Sequence, residues 1–189
     1  MEKLKIISLA LLLVFGIKNA VAQQHYKGVN AMEVNIGRNI FGNQDRHLSL
    51  SVSKYKSRTT YLKGGLNYLE NSFTYTKTLP ESDLPPASIE CHSTSKNYYA
   101  DAIYFKTLFT NRSFIYLNGG VGAFMGVESY KKKKRETQFL IGPEIDLETE
   151  LFITSRIAFI GRVTQYWNPL SDIEKWNTIW DVGLKYLIY

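Results

Sequence analysis

The stretch Gly142-Pro143-Glu144-Ile145-Asp146-Leu147-Glu148-Thr149-Glu150-Leu151-Phe152 decides how the chain is read. Ile141, Ile145, Leu147 and Leu151 alternate with Glu144, Asp146, Glu148 and Glu150. A period of two puts successive side chains on opposite faces of a β-strand. One face of this strand therefore carries four carboxylates and the other is apolar. A soluble β-barrel would turn the apolar face inward and hydrate the acids. A barrel in a bilayer inverts the two, with the apolar face against lipid and the acids inside.

Seven further segments share the period. Met32, Val34 and Ile36 alternate with Glu33, Asn35 and Gly37, and Leu48, Leu50 and Val52 alternate with serines. Leu62, Gly64, Leu66 and Tyr68 alternate with Lys63, Gly65 and Asn67. Residues 96–109 form a longer aromatic strand with less distinct faces. Residues 115–125, 155–167 and 180–188 complete the set. The gaps after the second, fourth and sixth segments are short (56–59, 110–113, 153–155), and those after the third, fifth and seventh are long (71–95, 127–137, 168–175). Only the first gap, 41–46, departs from this by not being long. Short turns at one rim and long loops at the other predict an all-β chain: an eight-stranded antiparallel up-and-down β-barrel of the outer-membrane type, its short turns periplasmic. A soluble lipocalin-like barrel or a sandwich is the alternative. Trp167, Trp176, Trp180, Tyr186, Tyr189, Phe109, Phe114 and Phe152 sit near strand ends, where aromatic girdles would lie.

Eight strands enclose room only for side chains. In a membrane barrel Glu144, Asp146, Glu148 and Glu150 point inward, next to Arg156 and Arg162 of the following strand, with Lys63, Lys106 and Lys185 at inward parity elsewhere. Unpaired buried carboxylates are too costly. The sequence thus predicts a filled, charge-paired interior and not a channel. Gly64, Gly65, Gly119, Gly120 and Gly122 lie inside strands, where they mark bulges or tight curvature.

Lys3 and Lys5 precede an apolar run over 6–16 and the small-residue site Ala20-Val21-Ala22, which predicts a signal peptide over 1–22 and a single β-barrel domain over 23–189. The apolar run is shorter than the roughly 20 residues a spanning helix needs. No Cys follows the expected cut, which argues against a lipoprotein anchor. Asp181-x-Gly183-x-x-Tyr186-x-Ile188 resembles the C-terminal sorting pattern of outer-membrane barrels. The expected location is the cell outer membrane, with the periplasm as the alternative.

Composition narrows the chemistry. The chain has 189 residues, 44% hydrophobic and 21% charged. Its mean hydropathy of −0.20 excludes a helical multi-span membrane protein but not a barrel, whose two faces average out. A net charge of +6 favours acidic surfaces yet falls short of a dedicated nucleic-acid binder. The single Cys, Cys91, excludes an intrachain disulfide framework and a Cys-rich zinc site. His25, His47 and His92 show no metal-ligand spacing, so neither a metal nor a cofactor is expected. Gly119-Gly120-Val121-Gly122 lacks the helix a phosphate loop needs. There is no Gly-x-Ser-x-Gly elbow, and the paired acids Glu144, Asp146 and Glu148 show no cleft for glycoside hydrolysis. No catalytic set is assigned. Lys131, Lys132, Lys133, Lys134 and Arg135 form a run of cations in a long loop, either a solvated turn or a contact for lipopolysaccharide phosphates or nucleic acid.

The glycine-rich strand Leu117-Asn118-Gly119-Gly120-Val121-Gly122-Ala123, the acidic strand over 142–152, the Arg-and-Trp strand over 155–167 and the closing Asp181-Val182-Gly183-Leu184-Lys185-Tyr186 together resemble the TraO proteins of conjugative transposons. The likeness is best over 110–189 and weaker before residue 90. It implies an envelope component of a conjugal DNA-transfer apparatus, in contact with outer-membrane lipids and other conjugation proteins. It offers no catalytic residues. A small outer-membrane or periplasmic binding or adhesion barrel unrelated to DNA transfer is the alternative.

Overall fold

The computed structural model describes residues 25–40, 45–78, 88–111, 114–131, 135–171 and 173–189. They form eight strands: β1 (Asn30–Asn39), β2 (Arg46–Tyr55), β3 (Thr60–Thr78), β4 (Ser88–Thr110), β5 (Ile115–Lys131), β6 (Arg135–Phe152), β7 (Ile157–Trp167) and β8 (Trp176–Ile188). Each strand pairs antiparallel with its neighbours in sequence, and β1 pairs β8 from Asn30↔Ile188 to Asn39↔Ile179, so the sheet closes into a barrel with no free edge. The expected signal peptide lies outside the described residues.

The alternation fixes the orientation of every strand, and it is inverted relative to a soluble barrel. Val34, Leu66 and Ile145 are 52%, 66% and 64% exposed, whereas Glu33, Lys63 and Glu148 are buried. The apolar wall thus faces outward all round the barrel and the charged face looks in, the arrangement of a membrane barrel.

Two aromatic and aliphatic clusters close the interior from either end. Tyr55, Tyr61, Ile103, Phe105, Phe152 and Leu187 pack at the short-turn end. Leu69, Tyr99, Phe124, Leu140, Tyr166 and Ile179 pack toward the other. Gly120 faces inward on β5, and a Cβ there would stand 2.7 Å from the Phe105 ring, so the glycine makes room for that ring in the floor. Phe152, expected in a girdle, is instead part of this floor: its even number on β6 gives it the parity of the acids. Phe114 packs against the same cluster. Phe109, Trp167, Trp176, Trp180, Tyr186 and Tyr189 are exposed on the outside, and Trp167 stacks on Trp176 at 5.9 Å across the β7–β8 pair.

The long connections are shorter than the sequence suggests. β3 and β4 remain paired from Glu70↔Lys96 out to Thr78↔Ser88, although β2 stops opposite Glu70. β5 and β6 stay paired to Lys131↔Arg135. Two hairpins therefore rise past the rim; on β3–β4 the outward positions there are polar (Ser72, Thr74, His92 and Thr94), while Phe73 on the other face meets the Tyr130 ring at 6.2 Å. Cys91, expected in a loop, lies on β4 opposite Tyr75.

Candidate functional site: an ionic layer inside the barrel

The even residues of β6 place Glu144, Asp146, Glu148 and Glu150 inside, each at most 3% exposed. Their cationic partners come from strands that do not pair with β6. Lys63 of β3 donates to Glu33 of β1 at 2.9 Å and also to Glu148. Lys185 of β8 donates to Glu148 Oε1 at 2.7 Å and to Glu150 Oε1 at 2.9 Å, with Glu33 Oε2 at 3.2 Å. The Tyr61 hydroxyl donates to Glu148 at 2.7 Å, and the Asn118 amide to Glu150 at 2.9 Å. Two lysines and three glutamates thus tie β1, β3, β6 and β8 across the lumen.

Arg162 lies directly opposite Glu148 on the neighbouring strand, yet its guanidinium turns to the other side. Lys63 and Lys185 already occupy Glu148, so Arg162 donates to Asp181 at 3.2 Å and to the Ser49 hydroxyl at 3.3 Å. His47 Nδ1 is 3.4 Å from the same Asp181 oxygen. Asp146 accepts from Thr164 Oγ1 at 2.6 Å. Glu144 is 1% exposed and fills the space left by Gly122, where a Cβ would stand 2.9 Å from its carboxylate.

Two residues named from sequence fall outside this layer. Arg156 is exposed in the turn between β6 and β7, with its guanidinium 5.8 Å from the Tyr189 ring; strand parity does not govern a turn. Lys106 points outward, because the inward residues of β4 are the odd ones from Ser95 to Phe105. Conversely, Glu33, His25 and His47 belong to the layer and were missed. Glu33 was legible as the polar member of the first alternating segment. His25 precedes every strand and carries no periodic signal.

At the long-loop rim, the connection from β7 to β8 folds over the mouth. The Ser171 hydroxyl donates to Glu128 at 2.9 Å, and Ser95 donates to the same carboxylate at 2.8 Å. Asn39 and Asn71 donate to Glu174 at 3.2 and 3.5 Å. The Ser72 N–H donates to Asp45 at 2.8 Å. Burial pushes the Asp45 carboxyl above its ordinary range despite that bond, and the charge of Glu70 adds to the rise. Glu174 is raised by burial and then by the charge of Asp45.

The C-terminal pattern is structural as well as sequential. Asp181 belongs to the ionic layer. A Cβ at Gly183 would stand 2.2 Å from the Val34 carbonyl oxygen of β1, so the glycine lets the closing strands approach. Tyr186 and Ile188 face outward. Lys131 and Arg135 pair at the tip of the β5–β6 hairpin, and Lys132, Lys133 and Lys134 lie outside the described residues.

Chemically, the layer around Glu33, Glu148, Glu150 and Asp181 is a set of mutual donors and acceptors between two hydrophobic clusters. Glu144, expected to be charge-paired, is instead buried with no hydrogen-bond partner on either oxygen among the described residues, and Asp146 is held by Thr164 and not by a cation. Among the described residues no group of three or more His, Cys, Asp or Glu could hold a metal ion. The layer's role is cohesive: buried pairs add little net stability, but removing one partner strands the other at a cost of about 3–5 kcal/mol.

A closed antiparallel barrel of eight strands, apolar outside and ion-paired inside, is an outer-membrane-type β-barrel. The family model described as conjugative transposon protein TraO matches residues 23–188, and the chain belongs to that family. Solved structures agree on the fold. The N-terminal β-barrel domain of Pseudomonas aeruginosa OprF superposes with a TM-score of 0.55 at 12% identity, covering 86% of this chain and 98% of that one. Neisserial surface protein A gives 0.51 at 10% identity, covering 84% and 94%. Ail, the attachment invasion locus protein of Yersinia pestis, in complex with the heparin analogue sucrose octasulfate, gives 0.50 at 12%, covering 85% and 97%. No curated protein matches the chain.

Proposed function

We propose that this protein is a non-catalytic envelope component of a conjugative DNA-transfer apparatus, resident in the outer membrane after export by the signal peptide over 1–22. The observation that carries the reading is the inversion of the barrel, with Val34, Leu66 and Ile145 outside and the Glu33–Lys63–Glu148–Lys185 layer inside. Such a wall is built for lipid, and an ion-paired filling is built for rigidity. Family membership supplies the transfer context. Lipids would cover the wall, and other transfer proteins would meet the hairpins at one rim or the short turns at the other. The C-terminal pattern would serve insertion into the membrane.

Deletion of the gene from its mobile element should lower transfer frequency, and plasmid-borne wild-type protein should restore it. The restored protein should fractionate with outer membranes and run anomalously on gels unless heated. Unchanged transfer, or recovery in the soluble periplasm, would overturn the reading. The projecting β3–β4 hairpin supports a second reading, a surface-binding barrel; there deletion would alter binding to surfaces and leave transfer untouched.

A further inference from the structure

The outer wall carries two adjoining grooves. One, of roughly 710 Å³, crosses β1 to β5; its floor is the facing pair Gly64 and Ala102, and Val52 and Leu62 flank it. The other, of roughly 650 Å³, runs beside it with Gly119 in its floor and Leu108 and Leu147 at its sides. Tyr104 and Val121, paired across β4 and β5, border both grooves and form the ridge between them.

Each groove has one outward lysine at its short-turn end. Lys54 is the penultimate residue of β2, and Lys106 lies opposite Thr60, the first residue of β3. Their strand neighbours are Asn30 and Leu62 for Lys54, and Thr60 and Gly119 for Lys106, so no carboxylate stands beside either. Among the described residues neither lysine has an ion pair. The same rim exposes Lys27, Lys56, Arg58 and Arg156, while the acids of that half of the barrel, Glu33, Glu148 and Glu150, are all inside.

We infer that the paired grooves bind one anionic glycerophospholipid of the inner leaflet, an acyl chain in each groove and the headgroup phosphate between Lys54 and Lys106. The inference rests on the membrane reading above. Lys54, Leu62 and Tyr104 share one row of the sheet, and Lys106 is two residues beyond Tyr104. Strand spacing and rise then put the two lysine Cα atoms about 12 Å apart, within reach of one phosphate from both sides. Glycine and alanine floors leave the depth a methylene chain needs. The grooves open sideways from the wall and not off the end of the barrel, which favours a lipid over a docked protein.

The test uses the purified full chain, refolded in detergent and supplied with equal phosphatidylglycerol and phosphatidylcholine, with bound lipid counted by native mass spectrometry. Wild type should retain one phosphatidylglycerol in preference to phosphatidylcholine. The preference should fall about five-fold for each of Lys54→Gln and Lys106→Gln. Ala102→Leu, which fills a floor, should reduce both lipids alike. Heat-modifiable gel mobility checks that each variant is folded. Equal retention of the two lipids by wild type, or an unchanged preference in the folded double lysine variant, would overturn the inference while leaving the membrane reading intact. Failure of wild type to enter lipid at all would overturn both.

Discussion

His25 Nε2 lies 3.0 Å from Glu150 Oε2, and both side chains are sealed from solvent in the floor of the barrel. The imidazole sits between Tyr55 and Tyr116, with ring centroids at 4.4 and 4.1 Å. Gly28, at φ +95°, turns the chain from this anchor into β1, and its N–H donates to the Tyr55 carbonyl at 2.9 Å. The segment before the first strand thus helps to close the short-turn end.

His25→Ala should remove one charged hydrogen bond and lower unfolding stability by about 1.5–3 kcal/mol. Amide exchange over residues 26–29 should rise at the same time. Urea titration in micelles and hydrogen exchange would check both, and an unperturbed segment would show that the anchor is dispensable.

Lys63→Met leaves Glu33 and Glu148 short of a cation and should cost about 3–5 kcal/mol. Adding Glu33→Gln to that variant should recover part of the loss, because the charge imbalance shrinks. Equilibrium unfolding of the single and double variants measures the coupling. Strictly additive losses would mean that the two side chains act independently.

The loop between β7 and β8 should loosen as pH rises. Asp45 and Glu174 are raised above their ordinary values of 3.8 and 4.5, so the folded state holds protons that the unfolded state releases. The docking they support is complete below those ordinary values and is lost as pH climbs through the raised ones. Hydrogen exchange over 168–175, corrected for intrinsic rates, should show falling protection across that window. Glu174→Gln should flatten the profile.

Gly183→Ala should disturb barrel closure, since the added carbon would meet the Val34 carbonyl and the Asn35 side chain. Refolding into vesicles, read by heat-modifiable mobility, should lose yield with this variant even with the rest of the C-terminal pattern intact. Normal yield would assign the glycine to recognition alone.

Much of the fold is legible in the sequence, because a lipid-facing wall and a polar interior impose period two on nearly every strand. The legibility ends where the physics changes. Residues 71–78 and 88–95 extend β3 and β4 beyond the apolar wall, where the outward positions Ser72, Thr74, His92 and Thr94 are polar, so the stretch lacks an apolar outer face and reads as a loop. The acids of β6 declare their face through spacing, but their cations do not declare a partner: Lys63 of β3 and Lys185 of β8 reach Glu148 across the lumen, from strands that do not pair with β6. Arg156 shares its parity with Arg162 and still lies outside, since the turn resets the count. His25 has no period to betray it.

The most direct test of the central claim is the environment of the outward face. With Cys91 replaced by serine, single spin labels at Val34, Leu66 and Ile145 in reconstituted bilayers can be probed with oxygen and with a water-soluble nickel chelate. High oxygen and low nickel accessibility at all three positions is the predicted result. Free access of nickel to those positions, with little oxygen contact, would contradict a barrel that turns its apolar wall to lipid.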